Sequence, residues 1–323
     1  MNNERVKKAI ILSAGKGTRL YPLTVNCPKA LIPVMNVPII KLILQKLKYW
    51  GIKKIGINLH HLHNLIEEFL KNKCFKDFSF YLAFEPEILG TGGGMANFAQ
   101  IMEGEECFLL HNCDVICDFD FKALKAFHHS KNGIATLLLV DNPSTNKVFI
   151  GKDYEIVDIY GVGAEHLKEG VGGSSKALTY SGIAIFSPRI FQYLPAGRYS
   201  SIIEILLYLI KNKIETVYGF IQEKIFWKDI GSIHSYFSLH KDIFSGKVSF
   251  LPCIPVFCNN VLIGAGSIIE DITTLDGFNV IGKNCFIGKG VVLKNCILWD
   301  DIRLEYPYYK ESAIITKDVV VSI

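Results

Sequence analysis

Ile10-Ile11-Leu12-Ser13-Ala14-Gly15-Lys16-Gly17-Thr18-Arg19-Leu20, followed by Pro28-Lys29, is the stretch that decides how this chain is read. A short apolar run feeds straight into a glycine-rich turn. Such a turn points several backbone N–H groups at one spot, and an anion can sit there without a side chain. Arg19 adds a planar fork suited to phosphate oxygens, and Lys29, ten residues later, adds a compact positive charge. The turn is not a Walker loop, because no Gly-Lys-Ser/Thr closes it. It is not the dinucleotide fingerprint either, because the third glycine is missing. Glycine-rich turns after strands are often only structural, so the remainder of the chain has to decide.

The chain has 323 residues, 50% hydrophobic and 20% charged, which suits one large globular domain plus a small one. A net charge of +4 with no basic block interleaved with aromatics argues against a nucleic-acid partner. Residues 1–8 are polar and basic, and the apolar run at 9–12 is too short for a signal-peptide core. No apolar stretch is long enough to span a bilayer. A cytoplasmic protein with no membrane partner is expected. The nine cysteines are odd in number and contain no C-x-x-C, so free thiols are expected. A zinc site with His60, His61 and His63 is the weaker reading; those histidines suit a polar loop beside the site.

Working outward from the turn, strand patterns occupy 9–12, 54–58, 78–84, 107–111 and 134–140. Helical spacing occupies 38–49, 62–71, 92–101 and 120–128. This alternation argues for parallel strands in a doubly wound sheet, whose ligands bind at the carboxyl ends of the strands. The turn at 14–19, the loop at 85–94 and the turn at 112–114 should then share one rim. Between 147 and 176 the pattern weakens into short strands and a mobile loop. It returns as a strand at 178–186, a helix at 202–209, a strand at 216–221 and a helix at 233–244 closed by Gly246.

After about residue 249, Ile263, Ile269, Leu275, Ile281, Ile287 and Leu293 recur every six residues. Glycine follows three of them, at Gly264, Gly282 and Gly288. A hexapeptide period marks a β-helix that turns an aliphatic residue inward on each side. About two coils cannot stand alone, so they should pack on the first domain or on another subunit, through which a homo-oligomer would form. The expected organisation is a domain at 1–248, the β-helix at 249–304 and a tail at 305–323 that caps or pairs with an edge.

Two carboxylates stand out. Phe108-Leu109-Leu110-His111-Asn112-Cys113-Asp114 is an apolar strand ending in Asp114, and Asp229 ends a similar approach in Phe226-Trp227-Lys228-Asp229-Ile230-Gly231. Either Asp alone reads as a turn former or cap. Two carboxylates together with nucleotide phosphates suit Mg²⁺, which wants oxygen ligands and keeps several waters.

With these pieces in order, the chain resembles the sugar-1-phosphate nucleotidyltransferases. The matching motifs are Ala14-Gly15-Lys16-Gly17-Thr18-Arg19-Leu20 with Pro28-Lys29, Leu89-Gly90-Thr91-Gly92-Gly93, Asn112-Cys113-Asp114, Tyr180-Ser181-Gly182-Ile183 and Trp227-Lys228-Asp229-Ile230-Gly231. The resemblance implies an α/β fold: a doubly wound mixed sheet, Rossmann-like, with a short C-terminal left-handed β-helix. It implies that a nucleoside triphosphate and a sugar-1-phosphate react with Mg²⁺ to give a nucleotide sugar and pyrophosphate. Arg19 would hold the β- and γ-phosphates, Lys29 the α-phosphate and the sugar phosphate, and Asp114 and Asp229 the metal. The nucleotide would lie against Ala14, Gly15, Gly17, Thr18, Glu85, Gly90 and Thr91. Asn112, Ser181 and Gly182 would face the sugar.

The chain departs from the family at two points. Cys113 stands where many relatives carry Gly, and the region 153–177 lacks a Glu-Lys-Pro motif, leaving Lys168 and Lys176 as alternatives for its lysine. The missing motif points toward the branch resembling mannose-1-phosphate guanylyltransferase and N-acetylmuramate-1-phosphate uridylyltransferase. Glu85 stands where thymidylyl relatives place Gln. A carboxylate only accepts hydrogen bonds, and guanine offers two adjacent donors, so the expected base is guanine, with uracil next. The rival readings are a nucleotide-sugar-using glycosyltransferase, which would want an Asp-x-Asp that Val115 breaks, and a non-catalytic subunit of the same fold.

Overall fold

The computed structural model describes residues 6–159, 177–248 and 253–323. The chain divides into two compact units, one of Met1–Gly15 with Leu47–Trp227 and one of Lys16–Lys46 with Lys228–Ile323. In chain order the elements begin with β1 (Lys8–Leu12), β2 (Pro33–Val34), β3 (Val37–Pro38), α1 (Ile39–Tyr49), β4 (Lys54–Leu59), α2 (His63–Leu70) and β5 (Ser79–Phe84). Next come α3 (Gly90–Ala96), α4 (Ala99–Met102), β6 (Phe108–Asn112), β7 (Val115–Cys117), α5 (Phe121–Lys131), β8 (Ala135–Val140), β9 (Val148–Ile150) and β10 (Ile156–Ile159). Beyond residue 176 follow β11 (Ala177–Phe186), α6 (Ile202–Lys211), β12 (Val217–Ile221), β13 (Trp227–Asp229) and α7 (Ile233–Phe244).

The first unit is built on a mixed sheet. Strands β5, β4, β1 and β6 run parallel in that order, and β11 joins β6 antiparallel. Strand β8 pairs antiparallel with β11 and parallel with β12. The apolar runs become central strands because both their faces are covered: β8 is buried at all six positions. Leu206 and Leu209 of α6 and Met95 and Phe98 near α3 share a core with Ile10, Phe108, Leu137 and Phe186. The expected helix at 92–101 is two pieces, α3 and α4. The break falls at Phe98, whose ring lies against Gly56 of β4; a Cβ on Gly56 would come within 2.6 Å of that ring. Burying the ring takes precedence over continuing the helix. The short strands expected after residue 147 are β9 and β10, while the mobile loop expected there lies outside the described residues beyond Ile159.

The second unit carries the C-terminal strands β14 (Val261–Ile263), β15 (Ile268–Ile269), β16 (Thr274–Ile281), β17 (Phe286–Ile287), β18 (Val292–Leu298), β19 (Arg303–Leu304), β20 (Tyr309–Ile315) and β21 (Val320–Ser322). They stack in parallel as β14-β16-β18-β20 and β15-β17-β19. Residues 18 apart face each other at first, as Ile263 does Ile281 and Ile269 does Ile287. Farther on the offset is 17, as for Cys296 and Ala313. Of the six periodic aliphatics, Ile281, Ile287 and Leu293 are fully buried, whereas Ile263, at the start of the stack, is half exposed. The glycines of the repeat are needed where successive turns touch. A Cβ on Gly264 would lie 2.3 Å from the Gly282 carbonyl, and one on Gly282 would lie 2.4 Å from the Trp299 carbonyl. The segment expected as a separate tail from 305 supplies β20, which extends the stack, and β21, which pairs antiparallel on its last strand.

The boundary expected at residue 248 does not separate the compact units. Helix α7 belongs with the C-terminal strands because its Phe237 and Phe244 pack on Phe278 of β16, with ring centroids 5.2 and 5.7 Å apart. The start of the same unit reaches α7 through His240. Its Nε2 accepts from the Met35 N–H at 3.2 Å, and its Nδ1 contacts the Tyr236 carbonyl at 3.0 Å. This is the pattern of a neutral imidazole protonated on Nδ1. Among the described residues no helix is long and apolar enough to cross a membrane.

Burial pushes two histidines down to about 4 from an ordinary 6.5: His240, and His128, whose Nδ1 meets the Thr136 hydroxyl at 2.9 Å. The unfolded chain therefore takes up these protons first as pH falls. Their contribution to stability is complete above about pH 6.5 and drains away toward pH 4. Urea unfolding between pH 7 and 4 should show a loss of up to about 3 kcal/mol for each histidine. His240→Gln should flatten that slope by about one proton.

Candidate active site

The turn after β1 lies in the second unit from Lys16 onward. Gly17 has φ +68°, a left-handed conformation that favours glycine. A Cβ there would also lie 2.8 Å from the Thr24 methyl. The Thr24 hydroxyl donates back to the Gly17 carbonyl at 3.0 Å, closing the loop on itself. A 3₁₀ turn, Thr18–Leu20, follows, with Leu20 buried as its anchor and Thr18 and Arg19 exposed. A second 3₁₀ turn, Lys29–Leu31, is opened by Pro28.

Asp229 stands in the same unit. Its Oδ1 accepts from the Gly231 N–H at 2.6 Å, while its Oδ2 is 4.0 Å from Arg19 Nη2. That separation makes an electrostatic neighbour rather than a hydrogen bond. The Arg19 and Asp229 side chains are 68% and 40% exposed, so both heads remain in reach of a ligand. Just beyond them α7 starts at a capping box: Ser232 Oγ accepts from the Ser235 N–H, and Ser235 Oγ accepts from the Ser232 N–H. Gly17, Thr18, Arg19, Lys29 and Asp229 are thus brought into one unit.

The other expected site residues belong to the first unit. Asn58, Leu12 and Asn112 face one another across the carboxyl ends of β4, β1 and β6. Ala14 is buried just past that row and Gly15 is exposed. The Cys113 N–H donates to the Leu12 carbonyl at 3.0 Å, carrying the β1–β6 pairing one step further, and the turn at Cys113–Asp114 leaves Asp114 half-buried at the tip. Gly182 of β11, at φ +83°, passes against Asn112; a Cβ there would lie 2.8 Å from Asn112 Nδ2. The Ser181 carbonyl accepts from Trp227 Nε1 at 2.9 Å. Gly90 has φ +72° at the start of α3, and the Thr91 hydroxyl oxygen accepts from the Ile202 N–H at 2.9 Å, helping to start α6. Lys168 and Lys176 lie outside the described residues.

Glu85 corrects an expectation. It is 1% exposed, and both carboxylate oxygens already accept hydrogen bonds. Oε1 takes the Asn58 Nδ2 at 2.8 Å, and Oε2 takes the Leu89 N–H at 2.9 Å. A carboxylate occupied in this way is not poised to grip guanine by both oxygens. Asn58 is a residue that sequence reasoning passed over, whereas His60 stands in the polar loop expected beside the site. Asn58 Oδ1 accepts from the Ser13 N–H at 2.7 Å, and His60 Nδ1 contacts the Glu85 carbonyl at 2.8 Å. A polar Asn near the end of an otherwise apolar strand was the available signal. Ser13 was also passed over: its hydroxyl is buried with no hydrogen-bond partner among the described residues.

Comparison with known proteins identifies the family. The family model described as Nucleotidyl transferase matches residues 8–246. The chain is 25% identical to a UTP–glucose-1-phosphate uridylyltransferase of Synechocystis, over 92% of this chain and 84% of that protein. It is 30% identical to a mannose-1-phosphate guanyltransferase of Debaryomyces hansenii, over 82% of this chain and 71% of that protein. The crystal structure of HddC from Yersinia pseudotuberculosis, complexed with GMP-PN, shares the fold with a TM-score of 0.59 at 21% identity, covering 73% of this chain and 99% of that one. A match across most of the chain, with the glycine-rich turn, Arg19, Lys29, Asp114 and Asp229 all inside it, makes this protein a member of the sugar-1-phosphate nucleotidyltransferase family.

Proposed function

We propose that the protein joins GTP and mannose-1-phosphate, with UTP the next nucleotide to consider, to give a nucleotide sugar and pyrophosphate. The observation that carries the catalytic reading is Arg19 beside Asp229. A guanidinium and a carboxylate 4.0 Å apart, both reachable, suit a phosphate chain and its metal arriving together. Support for the nucleotide and the sugar comes from the relatives named mannose-1-phosphate guanylyltransferase, including those of Mycobacterium tuberculosis and Danio rerio. We also read the parallel C-terminal stack, with its 18-residue repeat, as a short left-handed β-helix.

In this reading an oxygen of the sugar phosphate attacks the α-phosphorus in line. The new O–P bond forms as the bond to the β-phosphate oxygen breaks, and the electron pair leaves with pyrophosphate. A phosphate monoester is largely dianionic at neutral pH, its second pKa being about 6, so no side chain need act as base. Arg19 holds the departing β- and γ-phosphates, and Lys29 draws the α-phosphate and the sugar phosphate together. Asp114 and Asp229 would supply the hard oxygen donors that suit Mg²⁺. When bound, the ion neutralises charge on the phosphates. Asn112, Ser181 and Gly182 face the sugar, while Ala14, Gly15, Gly17, Thr18, Gly90 and Thr91 border the nucleotide. Glu85 serves the base indirectly, by fixing Leu89 and Asn58.

Pyrophosphate release should be measured for five nucleoside triphosphates crossed with a panel of sugar-1-phosphates. Turnover should be greatest with GTP and mannose-1-phosphate; a different preferred pair replaces those substrates, and silence on every pair removes the reading. Arg19→Ala, Asp114→Asn and Asp229→Asn should each lower kcat by about a hundredfold or more with circular dichroism unchanged. Glu85→Gln should destabilise the protein whichever base is bound. An amide must point its NH₂ either at the Leu89 N–H or at the Asn58 NH₂, so one donor faces another. The expected loss is about 1–3 kcal/mol in urea unfolding, and unchanged stability would return Glu85 to direct base reading.

A further inference from the structure

Lys29 is bracketed. Three residues before it, Asn26 Nδ2 donates to Asp318 Oδ2 at 2.9 Å, in the loop between β20 and β21. Four residues after it, the Pro33 carbonyl accepts from the Tyr236 hydroxyl at 2.5 Å, and that same hydroxyl accepts from Trp299 Nε1 at 3.3 Å. Two residues farther on, the Met35 N–H is held by His240, and Asn36 Nδ2 donates to the Ile281 carbonyl at 2.6 Å. Asp318, Trp299 and Ile281 all belong to the C-terminal stack or its connections, and every residue named lies in the second unit.

The span between the ties is short and already coiled. The Leu31 N–H donates to the Pro28 carbonyl and the Ile32 N–H to the Lys29 carbonyl, so the turn has little slack. A shift at Pro33 or Asn26 must therefore move the Lys29 backbone. The Trp299–Tyr236–Pro33 chain also has a fixed direction. The Tyr236 side chain is fully buried and has one hydrogen to give, which goes to Pro33. Trp299 supplies the donor that the phenol oxygen still accepts.

We propose that the C-terminal stack positions Lys29 for the phosphates through two of its side chains, Trp299 and Asp318. The proposal rests on the reading of Lys29 as a phosphate-binding cation. Trp299 and Asp318 are positioning residues: they act on the substrate only through the segment that carries Lys29. On this view the stack is part of the machinery that orients the reacting phosphates.

Steady-state kinetics on the full chain test this, with the nucleotide and sugar phosphate that the wild-type enzyme turns over. Trp299→Phe and Asp318→Ala should each raise the KM for the sugar phosphate about three- to tenfold, the size of one lost hydrogen bond, with kcat within about twofold. Asp318→Asn, which keeps an acceptor oxygen, should restore the wild-type KM. In a Lys29→Ala background Trp299→Phe should leave the KM unmoved, because the group it positions is gone. Amide exchange over residues 29–38 should quicken in Trp299→Phe and Asp318→Ala while α7 keeps its protection. A fall in kcat at constant KM, persisting in the Lys29→Ala background, would make these residues purely structural and overturn the proposal. So would unchanged exchange over 29–38. If the wild-type enzyme is silent on every substrate pair, the reading of Lys29 itself fails, a result seen before any variant is compared.

Discussion

Burying the Glu85 carboxylate is the constraint from which the first unit's rim follows. An acid with 1% exposure has to have its oxygens satisfied by the protein. Glu85 does so with the Asn58 amide and the Leu89 N–H, and each partner is then committed. Asn58 must present its other atom, Oδ1, to the Ser13 N–H, which fixes the first residue of the turn out of β1. Leu89 is set as the residue from which α3 begins. Gly94 is confined as well, since a Cβ there would lie 2.5 Å from Asn58 Nδ2 and 2.8 Å from Glu85 Oε1. One acid therefore ties the tips of β1, β4 and β5 to α3, and the backbone that we propose borders the nucleotide takes its shape from that tie.

The legible parts of the sequence were those in which local pattern and tertiary burial agree. Helix α7 was read from its apolar spacing at the bounds the structure gives, and its Ser232–Ser235 box explains the sharp start. Strands β1, β4, β6 and β8 were visible as apolar runs between turns. The illegible parts were those that a distant residue decides. Phe98 breaks a helix because Gly56 leaves room for its ring. The β2–β3 hairpin contains Pro33 and Pro38 and is only two residues deep, so no periodicity announces it. Glu85 looked like a base reader because sequence shows that a carboxylate is present, whereas only packing shows what it already binds. The site motifs were visible individually, but the division of their residues between two compact units was not.

The C-terminal stack shows the same limit at finer grain. The six-residue period is a local signal, and it marks Ile281, Ile287 and Leu293 as inward. It does not reveal where the repeat changes from 18 to 17. The change falls between Asp276 and Asn279, where Gly277 and Phe278 stand opposite the single residue Asn295. The coil running on to β18 is one residue shorter than the one before it. Phe278 is buried, and its ring lies against Phe237 and Phe244 of α7. Phe278, beside the register change, is the point at which the stack is fastened to the helix that follows Asp229.

That fastening bears on the chemistry. Arg19 and Lys29 are the cations in the second unit that would meet the phosphates, and both stand on short 3₁₀ turns. Isolated turns of three residues have too few internal hydrogen bonds to hold a long cationic side chain in one place. The segment just after the Lys29–Leu31 turn is held by residues far along the chain: Pro33 and Met35 by Tyr236 and His240 of α7, and Asn36 by the Ile281 carbonyl, with Trp299 behind Tyr236. The partners that hold the segment after Lys29 lie some two hundred residues along the chain, beyond the reach of any local reading. The apolar packing of Phe278 on α7 carries no chemistry of its own. By holding α7 against the stack it sets the distance between Tyr236 and Trp299, and through Pro33 it reaches the lysine.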